Sequence, residues 1–141
     1  MSGINREYAT MLEMKTIEQT YHINAPIGEV WKGLTDPKYI EGWGGGPVKM
    51  SEEIGSKFEY WGGDIHGTNI EVESPNKLVQ DWYGGKWPQP SKVTFLIKEL
   101  TDGETRVDLI HENLPDDEAD NFDDGWKQYF LGPMKEYLEK R

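Results

Sequence analysis

Cysteine is absent from the 141-residue chain, which removes disulfide staples, thiolate nucleophiles and cysteine-based zinc sites from consideration. Positive charge is scarce. Lys and Arg number 15 against 26 Asp and Glu, for a formal net charge of -11. No stretch gathers the basic residues into a patch, so phosphate backbones and anionic membranes are poor partners and no nucleic acid is expected. Long apolar runs are missing too: none approaches the ~20 residues of a membrane helix. The N-terminus lacks the apolar stretch of a signal peptide. Together these absences predict a cytoplasmic protein without membrane insertion.

What the chain has in quantity is aromatic residues. Hydrophobic residues are only 35% of the sequence, yet 6 Trp and 7 Tyr are among the aromatics. Large rings bury much area each, so a modest apolar count still builds a core. The length suits one domain. Residues 1–14 mix apolar and polar residues without a sustained period and read as a tail, leaving 15–141 as the domain.

Lys15–Ile23 alternates, with Ile17, Gln19, Tyr21 and Ile23 on one face, as a half-buried strand requires. Asn24-Ala25-Pro26 breaks it and starts a short helix, with the cap at Asn24 or Ala25 and Ile27, Val30, Trp31 and Leu34 at helical spacing. Thr35-Asp36-Pro37 repeats that punctuation before a second short helix carrying Tyr39, Ile40 and Trp43. Gly44, Gly45 and Gly46 end it.

Strands are then predicted over Pro47–Met50, Ser56–Trp61, Asp64–Glu73, Lys77–Tyr83, Lys92–Leu100 and Thr105–Leu114. Gly62-Gly63, Ser74-Pro75-Asn76 and Asp102-Gly103 supply the turns of an antiparallel meander. After an acidic stretch, Trp126, Tyr129, Phe130, Pro133, Met134, Tyr137 and Leu138 form one apolar stripe on a long helix, with a kink predicted at Gly132-Pro133. The class is therefore α+β: a curved antiparallel sheet around a long C-terminal helix, with two short helices after the first strand.

This layout resembles the START-like (SRPBCC) helix-grip fold. Asn24-Ala25-Pro26 through Val30-Trp31 is similar to that superfamily's opening words, followed by Thr35-Asp36-Pro37, Trp43, Ile54-Gly55-Ser56-Lys57-Phe58, and the piece from Gly67 through Glu73-Ser74-Pro75-Asn76-Lys77-Leu78-Val79 to Trp82. The C-terminal half resembles the family of homologues of the activator of heat-shock protein 90 ATPase. The shared words there are Lys86-Trp87-Pro88, Val93-Thr94-Phe95, Gly103-Glu104-Thr105, and Gly125-Trp126 with Gln128-Tyr129-Phe130. The resemblance runs over residues 15–139. It implies a container for a hydrophobic ligand between sheet and helix, with a chaperone partner as the alternative. The eukaryotic activators carry an additional N-terminal domain for which 141 residues leave no room.

Chemistry is thinly signalled. On the period-2 reading His66 shares a face with Thr68, Ile70 and Val72, and His111 with Val107 and Leu109. Both then point towards the sheet–helix space, either as polar anchors for a ligand or as hydrogen-bonded core or rim histidines. No Gly-x-Ser-x-Gly elbow occurs, and Ser51 and Ser91 have no base near them in sequence. The acidic run Asp116, Asp117, Glu118, Asp120, Asp123 and Asp124 fails the EF-hand spacing, since counting from Asp120 puts Phe122 in the third position. It reads instead as charge favouring a helix N-terminus. The glycines at 42, 44, 45 and 46 lack the Lys-Ser/Thr of a phosphate loop. No catalytic set, metal or cofactor is expected. Trp43, Phe58, Tyr60, Trp82, Phe95, Trp126, Tyr129 and Phe130 should converge, either as a solid core or around a pocket. The candidate lining of such a pocket is Trp43, His66, Trp82, His111, Trp126, Phe130 and Met134.

Overall fold

The structure, a computed structural model, describes residues 14–85 and 87–141. The expected tail therefore lies, except for Met14, outside the described residues. Strand β1 (Lys15–Ile23) leads into helices α1 (Ile27–Thr35) and α2 (Pro37–Trp43). Strands β2 (Lys57–Tyr60), β3 (Ile65–Glu73), β4 (Lys77–Gly84), β5 (Ser91–Thr101) and β6 (Glu104–Leu114) follow. The C-terminal helix runs as α3 (Asp116–Gly125), a π turn (Trp126–Phe130) and α4 (Leu131–Glu139). Every strand pair is antiparallel, in the order β1-β6-β5-β4-β3-β2. The C-terminal helix and α1–α2 pack on one face of this curved sheet, the helix-grip arrangement.

Local chemistry explains the elements. The Asp36 side chain caps α2 by accepting from the Lys38 N–H at 2.8 Å, with Pro37 in the first turn. The helix stops at Gly44, whose φ of 105° is open to glycine at no steric cost. The cap of α1 falls one residue later than the sequence suggests, on Pro26. In β1 the expected face holds, with Ile17 and Ile23 buried and Gln19 and Tyr21 half-buried.

Three local expectations need correction. Pro47–Met50 is no strand: only Lys49 pairs, exchanging both backbone hydrogen bonds with Glu59. Pro47 has no N–H to offer a ladder, which suits it to an outer edge. Gly62-Gly63 forms a 3-10 turn over Trp61–Gly63 rather than a two-residue hairpin, and Trp61 leaves the strand with a φ of 49°.

The third correction concerns the long helix. Its irregularity comes at Trp126–Phe130, before Gly132-Pro133, with Phe130 at φ -120° and ψ -81°. A widened turn absorbs the proline further on, because the ladder is already shifted by one residue. The extra residue also changes the buried face. Phe130 and Leu131, neighbours in sequence, are both buried, while Tyr129, assigned to the stripe by strict helical spacing, is 63% exposed. Gly132 lets the turn close, since a Cβ there would stand 1.9 Å from the Lys127 carbonyl oxygen.

The core lies between sheet and helices. The aromatic convergence holds for every expected ring but Tyr129: Phe130 sits 4.5 Å from Trp43, 5.1 Å from Tyr60, 4.7 Å from Trp126 and 5.9 Å from Phe95, centroid to centroid. No helix among the described residues is long and apolar enough to cross a membrane.

Candidate functional site

An apolar cavity of about 190 Å³ opens between the sheet and the first half of the C-terminal helix. Trp61, Ile65 and Trp82 form its sheet-side wall. Asn121, Phe122, Gly125, Trp126, Tyr129 and Phe130 form the helix side. The spacing on the helix is that of one face of two turns, i, i+1, i+4 and i+5, and the π turn carries the same face on to Tyr129 and Phe130. Gly125 leaves the cavity open, because a Cβ built there meets nothing within 4 Å.

The three indole N–H groups of this lining are all committed to protein acceptors. Trp61 Nε1 donates to the Gly44 carbonyl at 2.8 Å, Trp82 Nε1 to Gln80 Oε1 at 2.9 Å and Trp126 Nε1 to His111 Nδ1 at 3.0 Å. The rings therefore offer carbon surface to the cavity. Trp61 is held by a second bond, its backbone N–H to the Gly45 carbonyl at 2.9 Å. That pair of bonds to the loop after α2 fixes a bulky residue in left-handed backbone, a conformation that needs such support.

Behind the rings lies a buried polar chain. Trp82 donates to Gln80, Gln80 Nε2 to Asn69 Oδ1 at 3.0 Å, and Asn69 Nδ2 to the Ser51 carbonyl at 2.9 Å. Gln80 and Asn69 are fully buried, so these bonds offset the cost of desolvating two amides. The Tyr60 hydroxyl, also buried, has no hydrogen-bond partner of normal geometry, and burial pushes its pKa up.

His111 sits at the inner end of the site. Trp126 Nε1 can only donate, so His111 Nδ1 must accept, and the proton of the neutral ring lies on Nε2. Nε2 then donates to Ser91 Oγ at 2.7 Å, and the Ser91 hydroxyl donates to the Trp82 carbonyl at 3.0 Å. Burial lowers the His111 pKa to about 3. The fold thus brings Ser91 to a histidine twenty residues away in sequence, but with the direction of a base reversed: this imidazole gives a proton to the serine oxygen and cannot take one from it.

Of the residues expected to line a pocket, the structure brings Trp82, Trp126 and Phe130 together on the cavity. Trp43 lies deeper, behind Phe130, its Nε1 donating to the Gly33 carbonyl at 2.9 Å. Met134 is buried against Gly33. His111 touches Trp82 and Trp126 from behind, with both ring nitrogens occupied by protein, so it has none left for a ligand.

His66 is on the opposite face of the sheet, stacked 5.2 Å from Tyr83 at 6°. A register shift between Asn69 and Glu71 is the cause. Val72 does face the core, and counting back by twos from it crosses the bulge and inverts the parity of every residue before it. Ile65, Gly67 and Asn69 face inward instead. Trp61, Ile65, Phe122, Gly125, Asn121 and Tyr129 were not in the expected lining. The usable signals were the Gly62-Gly63 pair, which lets Trp61 turn out of its strand, and the small Gly125 one residue before Trp126.

Among the described residues no three His, Asp or Glu side chains gather to hold a metal ion. Fold and site together define a helix-grip domain with an aromatic-walled cavity under its long helix. The chain belongs to the family described as Activator of Hsp90 ATPase homolog 1-like protein, whose match covers residues 24–139.

Among curated relatives, the activator of 90 kDa heat shock protein ATPase homolog of Dictyostelium discoideum is 32% identical over 88 residues, 61% of this chain and 23% of that protein. The mouse homolog 2 is 23% identical over 133 residues, 94% of this chain and 37% of that protein. The chain thus spans between about a quarter and somewhat over a third of the curated relatives it matches. Among solved structures, an HSP90 activator from Plasmodium falciparum superposes with a TM-score of 0.79 at 24% identity, over 87% of this chain and 95% of that one. At that identity the likeness speaks to fold.

Proposed function

We propose that this domain binds a small hydrophobic or amphipathic molecule, without chemical turnover, in the cavity between the sheet and the C-terminal helix. The observation that carries this reading is the cavity itself, walled by aromatic rings and kept open by Gly125. Its volume, about 190 Å³, is somewhat larger than the ~150 Å³ apolar cavity that takes up benzene. It is smaller than the sites of drug-sized ligands, which start near 300 Å³. A single ring or short alkyl group is the fitting occupant, with any polar part at the mouth near Asn121 and Tyr129.

The test uses 2-phenylethanol as probe, followed through the indole N–H signals of Trp82 and Trp126 by NMR, alongside native mass spectrometry of the purified protein for a carried ligand. Gly125→Leu should fill the cavity and abolish the response while the protein remains folded. Equal binding by Gly125→Leu would place the probe elsewhere and sink the reading.

A second reading is a co-chaperone-type interaction domain that stimulates a heat-shock chaperone ATPase. It is favoured by the names of the relatives and by exposed apolar side chains: Ile54 and Ile70, 67% and 51% exposed, lie beside the Gly55–Asn69 backbone hydrogen bond. The chaperone's ATPase rate with and without this protein separates the two readings, and an unchanged rate counts against this one.

A further inference from the structure

Resting on the cavity reading above, we infer that the site selects cations: a ring or alkyl group carrying an ammonium, in preference to the neutral or anionic molecule of the same shape. Two independent features lead there. The first is the wall. Six of the nine lining residues are aromatic and none is charged. With the three indole N–H groups turned away, what remains on the surface is ring carbon, whose negative quadrupole faces attract an ammonium and repel a carboxylate.

The second feature is how charge is distributed around the helix. Two carboxylates of α3 are paired: Asp116 with Lys15 at 3.5 Å, and Asp123 with Lys127 at 3.7 Å and with Gln19 Nε2 at 2.8 Å. Those nearer the cavity mouth are not. Asn121 stands at the mouth, and Asp117 and Asp124, at i-4 and i+3 from it, are its neighbours on the helix surface. Both are exposed, and neither has an ion pair among the described residues. On the sheet side, exposed Asp64 immediately precedes the lining residue Ile65 in sequence.

Unpaired carboxylates thus flank Asn121 on the helix. A ligand seated with its apolar end under the helix and its charged end at Asn121 meets negative potential from these carboxylates. The chain's net charge of -11 adds to the same field.

The experiment compares three probes that share one ring: 2-phenylethylammonium, 2-phenylethanol and phenylacetate, titrated into the full chain by calorimetry at low salt and again at about 1 M salt, where the screening length falls to ~3 Å. The ammonium should bind at least tenfold more tightly than the carboxylate, with the alcohol between them. The gap should shrink at high salt. Asp117→Asn/Asp124→Asn, changes at exposed positions that leave the fold intact, should narrow the gap between ammonium and alcohol.

Equal binding of the three probes, or tighter binding of phenylacetate, overturns the charge preference and leaves the cavity reading standing. An undiminished preference in the double variant overturns its assignment to these carboxylates. Failure of all three probes to bind overturns the cavity reading and this inference with it.

Discussion

The indole N–H of Trp126 donates to Nδ1 of His111 at 3.0 Å, and that contact decides where the imidazole proton resides. Because the indole is a donor only, the histidine is neutral with its hydrogen on Nε2. The relay then continues through Ser91 to the Trp82 carbonyl. A charged imidazolium would turn Nδ1 into a second donor facing the indole, at a position fully buried in the protein.

The stability of the fold should therefore depend on acid in a defined window. The folded pKa of His111, about 3, lies below the ~6.5 of an unfolded histidine. Between those values the unfolded chain binds the extra proton, so stability is full above pH ~6.5 and declines as the pH falls towards 3. The slope attributable to this group is at most ~1.4 kcal/mol per pH unit. His111→Gln, which keeps one acceptor and one donor but does not titrate, should flatten urea-unfolding stability between pH 6.5 and 4 relative to wild type. An unchanged slope would refute the assignment.

Two glycines in one helix should respond to alanine with opposite signs. Gly125 has helical φ and ψ of -61° and -39° and open space at its Cβ. Gly125→Ala should stabilise by ~0.5–1 kcal/mol, seen as a rise in Tm of a few degrees. Gly132→Ala would push a methyl onto the Lys127 carbonyl and should cost ~1–3 kcal/mol as the π turn is forced open. Thermal unfolding of the two variants side by side checks both. A destabilised Gly125→Ala would mean that the cavity wall is packed.

The chain Trp82–Gln80–Asn69 should behave as a unit. Asn69→Leu leaves the Gln80 amide N–H without its acceptor and should cost ~1–3 kcal/mol, as should Gln80→Met, which orphans the Trp82 N–H. Removing both should cost less than the sum, since a polar group already unpaired is not lost twice. A double-mutant cycle in urea measures the coupling, and strict additivity would argue against the network.

Much of this architecture was legible in the residues. Alternation in Lys15–Ile23, the Asp36-Pro37 cap and the turns at Ser74-Pro75-Asn76 and Asp102-Gly103 are local signals, and the elements form where those signals put them. The breaks came where one residue is added to a regular repeat. The bulge after Asn69 reverses parity in β3 and sends His66 outward; the π turn brings Leu131 inward and Tyr129 out. Neither insertion has a composition signature, because each is selected by what packs across from it.

The cavity divides the same way. Trp82, Trp126 and Phe130 follow from size and periodicity. Trp61 follows from a backbone reversal and two bonds to Gly44 and Gly45, a relationship between loops that no single stretch of sequence contains. Phe122 and Gly125 sit within an acidic run whose charge masks an apolar face.

The π turn also divides the C-terminal helix into two parts of unequal anchorage. Downstream, Leu131, Met134 and Leu138 are buried in the core. Upstream, no side chain of Asp116–Gly125 is fully buried, and Phe122 is the principal apolar contact, lying against Trp87 at 5.2 Å. Local opening is least costly where few apolar contacts must be broken. The upstream amides should accordingly exchange with deuterated solvent well ahead of those in Leu131–Glu139. Asn121, Phe122 and Gly125, the upstream part of the cavity roof, thus belong to a segment that can fray while the grip of the lower helix on the sheet is kept.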